Sequence, residues 1–388
     1  MLRGNISKSY RVRGSDLLAS DLRLGQTSSF TYINGLFYVD LMAKRMTKFP
    51  DDVKLKIKEL WAHPHKKRIR LQNLGGSGPK TKGFVIDNSH AVDGLTRRID
   101  DWLKNGMENK DKLDDYLIDF FRTFIDHDSY KTIITEIESM DKTHRCKCPN
   151  LKFKKMNPME HGSKVHAEVY NAVRYALKTA GLCDTKRPIP QKFNIDQCTK
   201  SCLLSLIKTQ LIPFTAEWPV FTTEGTGCAT ALDLICIDMK NGNTIKTVEL
   251  KTGNVVKALK SSGYVPKHHI EYSQASVAAI QLLMSTFLGN KCFGNKFFPI
   301  SRDSEIVSEF SNFSNLIYIK SWGSIVLNIP QVICDHGKLE KLYNDILFRS
   351  EGSLRESLKI NCNTQSSLTT KGTKRKKCKV LQVGFAKK

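Results

Sequence analysis

Residues 230–252, TALDLICIDMKNGNTIKTVELKT, restrict the possible folds more than any other stretch of the chain. They read as two apolar strands joined by a turn at Asn241-Gly242-Asn243. Strand side chains alternate, so Glu249 and Lys251 share one face of the second strand and Leu250 points to the other. Asp233 stands alone among Ala231, Leu232, Leu234 and Ile235, where an unpaired carboxylate is costly to bury. Two acids on neighbouring strands repel unless a cation lies between them, and oxygen ligands of this kind suit a hard ion such as Mg²⁺ or Mn²⁺. A lysine beside them can orient or polarise a water, or balance phosphate charge. This is equipment for metal-assisted phosphodiester hydrolysis.

Charge points the same way. The 388 residues carry 61 Lys and Arg against 38 Asp and Glu, a net +23. Such an excess favours polyanionic partners through counterion release. No run of about 20 apolar residues exists to span a bilayer, which argues against a membrane partner. Eleven cysteines, an odd number, form no regular disulfide framework. Cys228, Cys236 and Cys334 fall in apolar strand-like segments, as small core residues do. His144-Arg145-Cys146-Lys147-Cys148 and Cys198-x-x-x-Cys202 lack the C-x₂-C spacing of common zinc sites and read as ordinary thiols. The compartment implied is reducing and intracellular. The N-terminus has no apolar h-region, so it is no secretory signal. Lys374-Arg375-Lys376-Lys377, in a Ser/Thr-rich tail, suits nuclear import or nucleic-acid contact; a mitochondrion or a viral replication compartment stays open.

Composition divides the chain into a basic, partly ordered arm (1–90), a helical region (91–150), a core (151–348) and a basic low-complexity tail (349–388). Gly75-Gly76-Ser77-Gly78-Pro79 reads as a flexible linker, without the Gly-Lys-Ser/Thr of a P-loop. Leu113, Tyr116, Leu117, Phe120, Phe121 and Phe124 recur at helical spacing and predict a core-facing stripe. Acids nearby, among them Asp111, Asp114, Asp115, Asp119 and Asp126, turn that region away from a bound polyanion. A long helix with Val165, Val169, Val173 and Leu177 on its apolar face stops at Gly181. Strands follow near 211–221, 230–239 and 245–251. Next come a helix over 269–288 capped by Gly289, a hairpin turning at Trp322-Gly323, and a short helix over 337–348.

Asp233, the intervening hairpin turn and Glu249-x-Lys251 resemble the D…ExK signature of the PD-(D/E)XK nuclease superfamily. Upstream, Gly162-Ser163-Lys164-Val165-His166 resembles the G-x-x-x-H helix of its RecB-like, lambda-exonuclease-like branch. The likeness covers roughly residues 158–290. It implies an α/β fold: a restriction-endonuclease-like core, a central mixed sheet flanked by helices, with an added N-terminal helical and basic region. It also implies that His166, Asp233, Glu249 and the Leu250 carbonyl hold Mg²⁺ or Mn²⁺, with Lys251 activating water. Glu217, in Phe214-Thr215-Ala216-Glu217-Trp218-Pro219, matches an acid that many members carry one strand earlier. Glu168, nearly opposite His166 around its helix, is the weaker candidate. Relatives place Gln-x-x-x-Tyr on the next helix. Here Gln274 is present to steady Lys251, but Ala278 replaces the tyrosine. Lys257, Lys260 and Lys267-His268-His269 stand where a phosphate would approach.

The expected function is Mg²⁺-dependent DNA hydrolysis, with an exonuclease of replication, repair or recombination favoured. The alternatives are a nuclease-like module that binds nucleic acid without cutting it, a cap-snatching-type RNA endonuclease, and a basic scaffold whose hairpin is accidental.

Overall fold

The turn at 241–243 follows from its residues. Asp238 Oδ1 accepts from the amides of Lys240 and Asn241 at 3.1 and 3.2 Å, and Gly242 and Asn243 take the left-handed backbone, φ +68° and +59°. Asn accepts that region at small cost and Gly at none. In the computed structural model, residues 33–62, 69–73, 82–87, 90–126, 128–147, 158–183, 188–225, 227–293, 314–320, 323–330 and 336–348 are described. The first elements are β1 (Ile33–Asn34), α1 (Leu36–Met46), α2 (Asp51–Ala62), β2 (Ile69–Asn73), β3 (Lys82–Ile86), β4 (His90–Gly94) and α3 (Leu95–Asp101). A π-helical turn (Trp102–Gly106) leads to α4 (Asp115–Asp126), α5 (Asp128–Lys147), α6 (Pro158–Thr179), β5 (Asn194–Ile195) and α7 (Gln197–Lys208). Then come β6 (Leu211–Thr222), β7 (Cys228–Asp238), β8 (Thr244–Lys251), α8 (Val255–Leu259), β9 (Ser261–Val265) and β10 (Ile270–Ser273). The last are α9 (Gln274–Phe293), β11 (Ser314–Lys320), β12 (Gly323–Asn328) and α10 (His336–Phe348).

The fold is α/β, with a mixed central sheet flanked by helices. Its strand order is β12-β11-β8-β7-β4-β3-β2, with β6 on the other edge of β7. β6 runs antiparallel to β7 along its whole length. On the opposite edge, β8 pairs only with Leu234–Asp238, and β4 only with Cys228 and Ala229. The residues between, including Asp233, border a notch in the sheet. β11 joins β8 in parallel, as a strand reached through the intervening helix α9 should.

Helix ends are set by local chemistry. Gly181 (φ +68°) stops α6 as predicted: its amide donates to Lys178 O at 3.1 Å and that of Leu182 to Leu177 O at 2.9 Å, a Schellman closure. The helix expected over 269–288 is displaced. Residues 270–273 form β10 against β9, and α9 starts at Gln274 because Ser273 and Ser276 exchange amide-to-hydroxyl hydrogen bonds at 3.1 Å. Gly289 is no cap; the helix runs through it to Phe293.

One hydrophobic cluster holds Met42 of α1, Phe120 of α4, Val169 of α6, Trp218 of β6, Leu283 of α9 and Tyr343 of α10. Residues 33–62, read from composition as part of a basic arm, therefore belong to the core: Val39, Met42 and Met46 face inward while lysines occupy the outer face. Trp61 reaches from α2 to donate to Phe214 O at 3.1 Å. The aromatic stripe of α4 is core, with Phe120, Phe121 and Phe124 fully buried. Cys228 and Cys236 are buried reduced thiols. No helix among the described residues is long and apolar enough to cross a membrane. Residues 1–32, the glycine linker at 75–79, Trp322, Cys334 and the Lys374–Lys377 cluster lie outside the described residues.

Candidate functional site

β8 parts from β7 after the Leu234–Val248 pair, and continuing that register sets Asp233 opposite Glu249. Where the ladder ends, Asp233 supplies its own acceptor: Oδ2 takes the amide of Leu250 at 2.8 Å. Across the other edge of β7, Ala216 pairs with Leu234 and Trp218 with Leu232, so Glu217 also faces Asp233. Glu217 has φ +48°, a left-handed backbone in mid-strand that costs a residue with a Cβ on the order of 1 kcal/mol or more. Such strain clusters at sites where a side chain must be aimed.

His166, two turns into α6, reaches the same point. Its Nδ1 lies 3.0 Å from Glu217 Oε1 and 3.6 Å from Asp233 Oδ1, and its Nε2 lies 3.2 Å from the carbonyl oxygen of Leu250. A Cβ at Gly162 would stand 3.0 Å from Thr252 Oγ1, so the small residue lets the first turn of α6 close on the end of β8.

The electrostatics are those of carboxylates crowded out of water. Burial raises Asp233 above the ordinary carboxylate range; His166 and Lys251 oppose the rise and Glu217 adds to it. Burial, and next the charge of Asp233, push Glu249 up to about 7 against the pull of Lys251. Burial works to lower His166, but Asp233 and the hydrogen-bonded Glu217 outweigh it and hold the imidazole at about 9. With both ring nitrogens protonated, it donates to a carboxylate on one side and a carbonyl on the other. Lys251 Nζ donates to Glu249 Oε1 at 2.5 Å, and that acid with Asp233 raises the ammonium despite burial.

His166, Glu217 and Asp233 each offer a ligand atom, all within 4.8 Å of one another. Carboxylate oxygens, a nearby backbone carbonyl and one imidazole make a donor set that fits Mg²⁺ or Mn²⁺ and lacks the thiolates of a structural zinc site. The imidazolium balances the charge of these two acids. Glu249, 3% exposed, lies outside that group: it feels the charge of Asp233 and turns its own towards Lys251.

Other sequence candidates go elsewhere. Glu168 takes the Asp196 amide at 2.7 Å and the Thr199 hydroxyl at 2.6 Å, fastening α6 to α7. Lys267 and His268 are engaged with the segment after the π-helical turn: Lys267 Nζ lies 3.5 Å from Asp111 Oδ1, its amide donates to Glu108 at 2.9 Å, and His268 contacts Met107 O at 2.9 Å. His269 contacts the Tyr264 hydroxyl at 2.7 Å. Lys257 and Lys260 remain exposed, without an ion pair among the described residues. Gln274 shares a cavity wall with Lys251, but no hydrogen bond joins them.

A second group, His161, Asp196 and Cys198, also falls within 4.8 Å. Here Asp196 is the N-cap of α7, accepting from the Cys198 amide at 2.9 Å, with Lys164 Nζ 3.5 Å away. Burial pushes the Cys198 thiol up to about 12, far from the thiolate a metal needs. It is a helix cap.

Tyr318 was missed by the sequence reading. It pairs with Lys251 across β8 and β11 and lines the same cavity. Burial raises its hydroxyl to about 12, with Lys251 pulling down and Glu249 pushing up. Alternation within LIYIKSWGSIVLNI could have placed it on one face, but not beside Lys251 without the parallel register. No family model, curated protein or solved structure matches the chain.

Proposed function

We propose that this protein is a divalent-metal-dependent nuclease that hydrolyses DNA phosphodiester bonds on a restriction-endonuclease-like core. The convergence of His166, Glu217 and Asp233 at the notch beside Glu249-Leu250-Lys251 carries the reading. Element order supports it: helix α6, antiparallel β6, β7 and β8, helix α9, then parallel β11. The resemblance to the PD-(D/E)XK signature rests on the same residues.

Asp233, Glu249, the Leu250 carbonyl and His166 would hold the ion, with Glu217 beside them. When bound, it supplies Lewis acidity at the phosphoryl group and lowers the pKa of the attacking water. His166 must release a proton to become a ligand, which its carboxylate neighbours resist until a cation replaces its charge. Lys251, tethered by Glu249, presents a fixed ammonium to the negative charge that develops on phosphate. Gln274, which lines the same cavity, would contact the substrate. The +23 net charge gathers the polyanion without reading its sequence. An exonuclease serving replication, repair or recombination is the form we favour.

End-labelled linear DNA and closed circular DNA, with Mg²⁺ and then with EDTA, provide the test. Metal-dependent loss of the linear substrate that disappears in Asp233→Ala supports the reading. Equal digestion by wild type and variant rejects it. Binding that needs no metal and leads to no cleavage leaves a nuclease-like binding module instead.

A further inference from the structure

A cavity of about 350 Å³ opens beside Lys251 and its cross-strand neighbour Tyr318 of β11, walled by the π-helical turn, α8, β10 and the first turns of α9. Its size is that of a small-ligand site. Two tyrosine rings line it, Tyr272 and Tyr318, and polar groups are set among them: Asp100, Gln274 and Gln281.

Two features of the wall are built at local cost. The turn Trp102–Gly106, which contributes Leu103 and Lys104, is π-helical; π turns are rare and concentrate at functional sites. It closes only because residue 106 is glycine, since a Cβ there would stand 2.8 Å from Trp102 Cδ1. Facing it, the ring of Tyr272 lies over Gly263, where a Cβ would come 2.1 Å from Tyr272 Cζ. Phe121 holds the same ring from the side, centroids 6.2 Å apart. The ring is thus clamped at the cavity while only half-buried.

The half-buried ring of Tyr272, with amide and carboxylate groups around it and the buried Tyr318 beside Lys251, suits a planar ligand that has a hydrogen-bonding edge. Lys251 at the border adds a contact for an anion attached to it. We propose that this cavity receives an unpaired nucleobase of the strand whose phosphate lies at Lys251. The choice of a nucleic-acid ligand rests on the nuclease reading. A base inside a duplex cannot enter such a cavity without leaving its stack, so the substrate is single-stranded or frayed at its end. Stacking on rings tolerates any base, so the site selects strandedness over sequence.

The test is binding of the full chain in EDTA, followed by fluorescence anisotropy. The probes are an oligothymidylate of about 20 nucleotides, an abasic strand of equal length and charge, and a blunt duplex. Oligothymidylate should bind at least about fivefold more tightly than the abasic strand, the lower end for one stacked base, and more tightly than the duplex. Val277→Trp, which fills the cavity, should remove that preference while leaving abasic binding unchanged, and Gln281→Ala should weaken it. Equal affinity for oligothymidylate and abasic strand overturns the proposal, as does tighter duplex binding. So does a Val277→Trp protein that keeps the preference or weakens both strands alike. The nuclease reading fails separately: base preference without metal-dependent cleavage defeats only that reading, and cleavage without base preference defeats only the cavity.

Discussion

His166, Asp233 and Glu249 share one proton economy. In the metal-free protein Glu249 sits near 7 against an ordinary 4.5, and His166 near 9 against 6.5. Both folded values are raised, so the folded state binds more protons than the unfolded one in these windows, and stability must fall as pH rises through them. Glu249's contribution is lost between pH 4.5 and about 7, and that of His166 between pH 6.5 and about 9. Thermal melts in EDTA should show a falling midpoint across both intervals. Glu249→Gln should flatten the lower interval and His166→Gln the upper; a midpoint that rises with pH would contradict the assignment. Lys251→Ala should reduce turnover by about 100-fold or more, the scale of losing one group that meets developing charge. Its melting midpoint should also fall, because the variant leaves Glu249, 3% exposed, without its ion-pair partner, so turnover is compared at a temperature where both proteins are folded.

At the scale of elements, α9 depends on the Ser273–Ser276 exchange. Ser273→Ala should cost about 1 kcal/mol, read by denaturant unfolding, and loosen Gln274 at the cavity. A stability change below a few tenths would mean the exchange does not set the helix start. The hairpin around Asp233 and Glu249 was legible because alternation, turn residues and an isolated acid all point to one arrangement. The α6 stop at Gly181 was legible for a similar reason: only glycine takes φ +68° there without strain. The start of α9 was not, since Ile270-Glu271-Tyr272 continues the helical apolar pattern and only pairing with β9 makes it a strand. The place of residues 33–62 was hidden by lysine: Lys44, Lys48, Lys54, Lys56 and Lys58 dominate the composition, while Met42, Met46, Ile57 and Leu60 are buried in the core. Glu217 could be named from sequence, but its left-handed backbone and its contact with His166, 51 residues away, are set by the packing of α6 on the sheet, which no local pattern encodes. Lys267 and His268 looked available because their side-chain partners, Asp111 and the Met107 carbonyl, lie far off in the chain, at sequence separations of 156 and 161.

At the scale of the molecule, the nucleic-acid partner proposed from the net +23 charge carries a salt dependence that can be measured. Affinity for DNA in EDTA should fall log-linearly with salt, by at least tenfold between about 50 and 200 mM; a flat dependence would mean that phosphate contacts do not drive binding. On the proposed reading, chelation should abolish cleavage while leaving salt-dependent binding. The central claim is that the acids at the β7–β8 divergence act together on one cation at a phosphodiester. Its most direct measurement is Mg²⁺-dependent cleavage of end-labelled DNA by the wild type and by Asp233→Asn, a substitution that keeps shape and removes charge. The account predicts digestion by the first and a loss of about 100-fold or more in the second, at matched melting temperatures. Undiminished cleavage by the folded Asp233→Asn protein would contradict it.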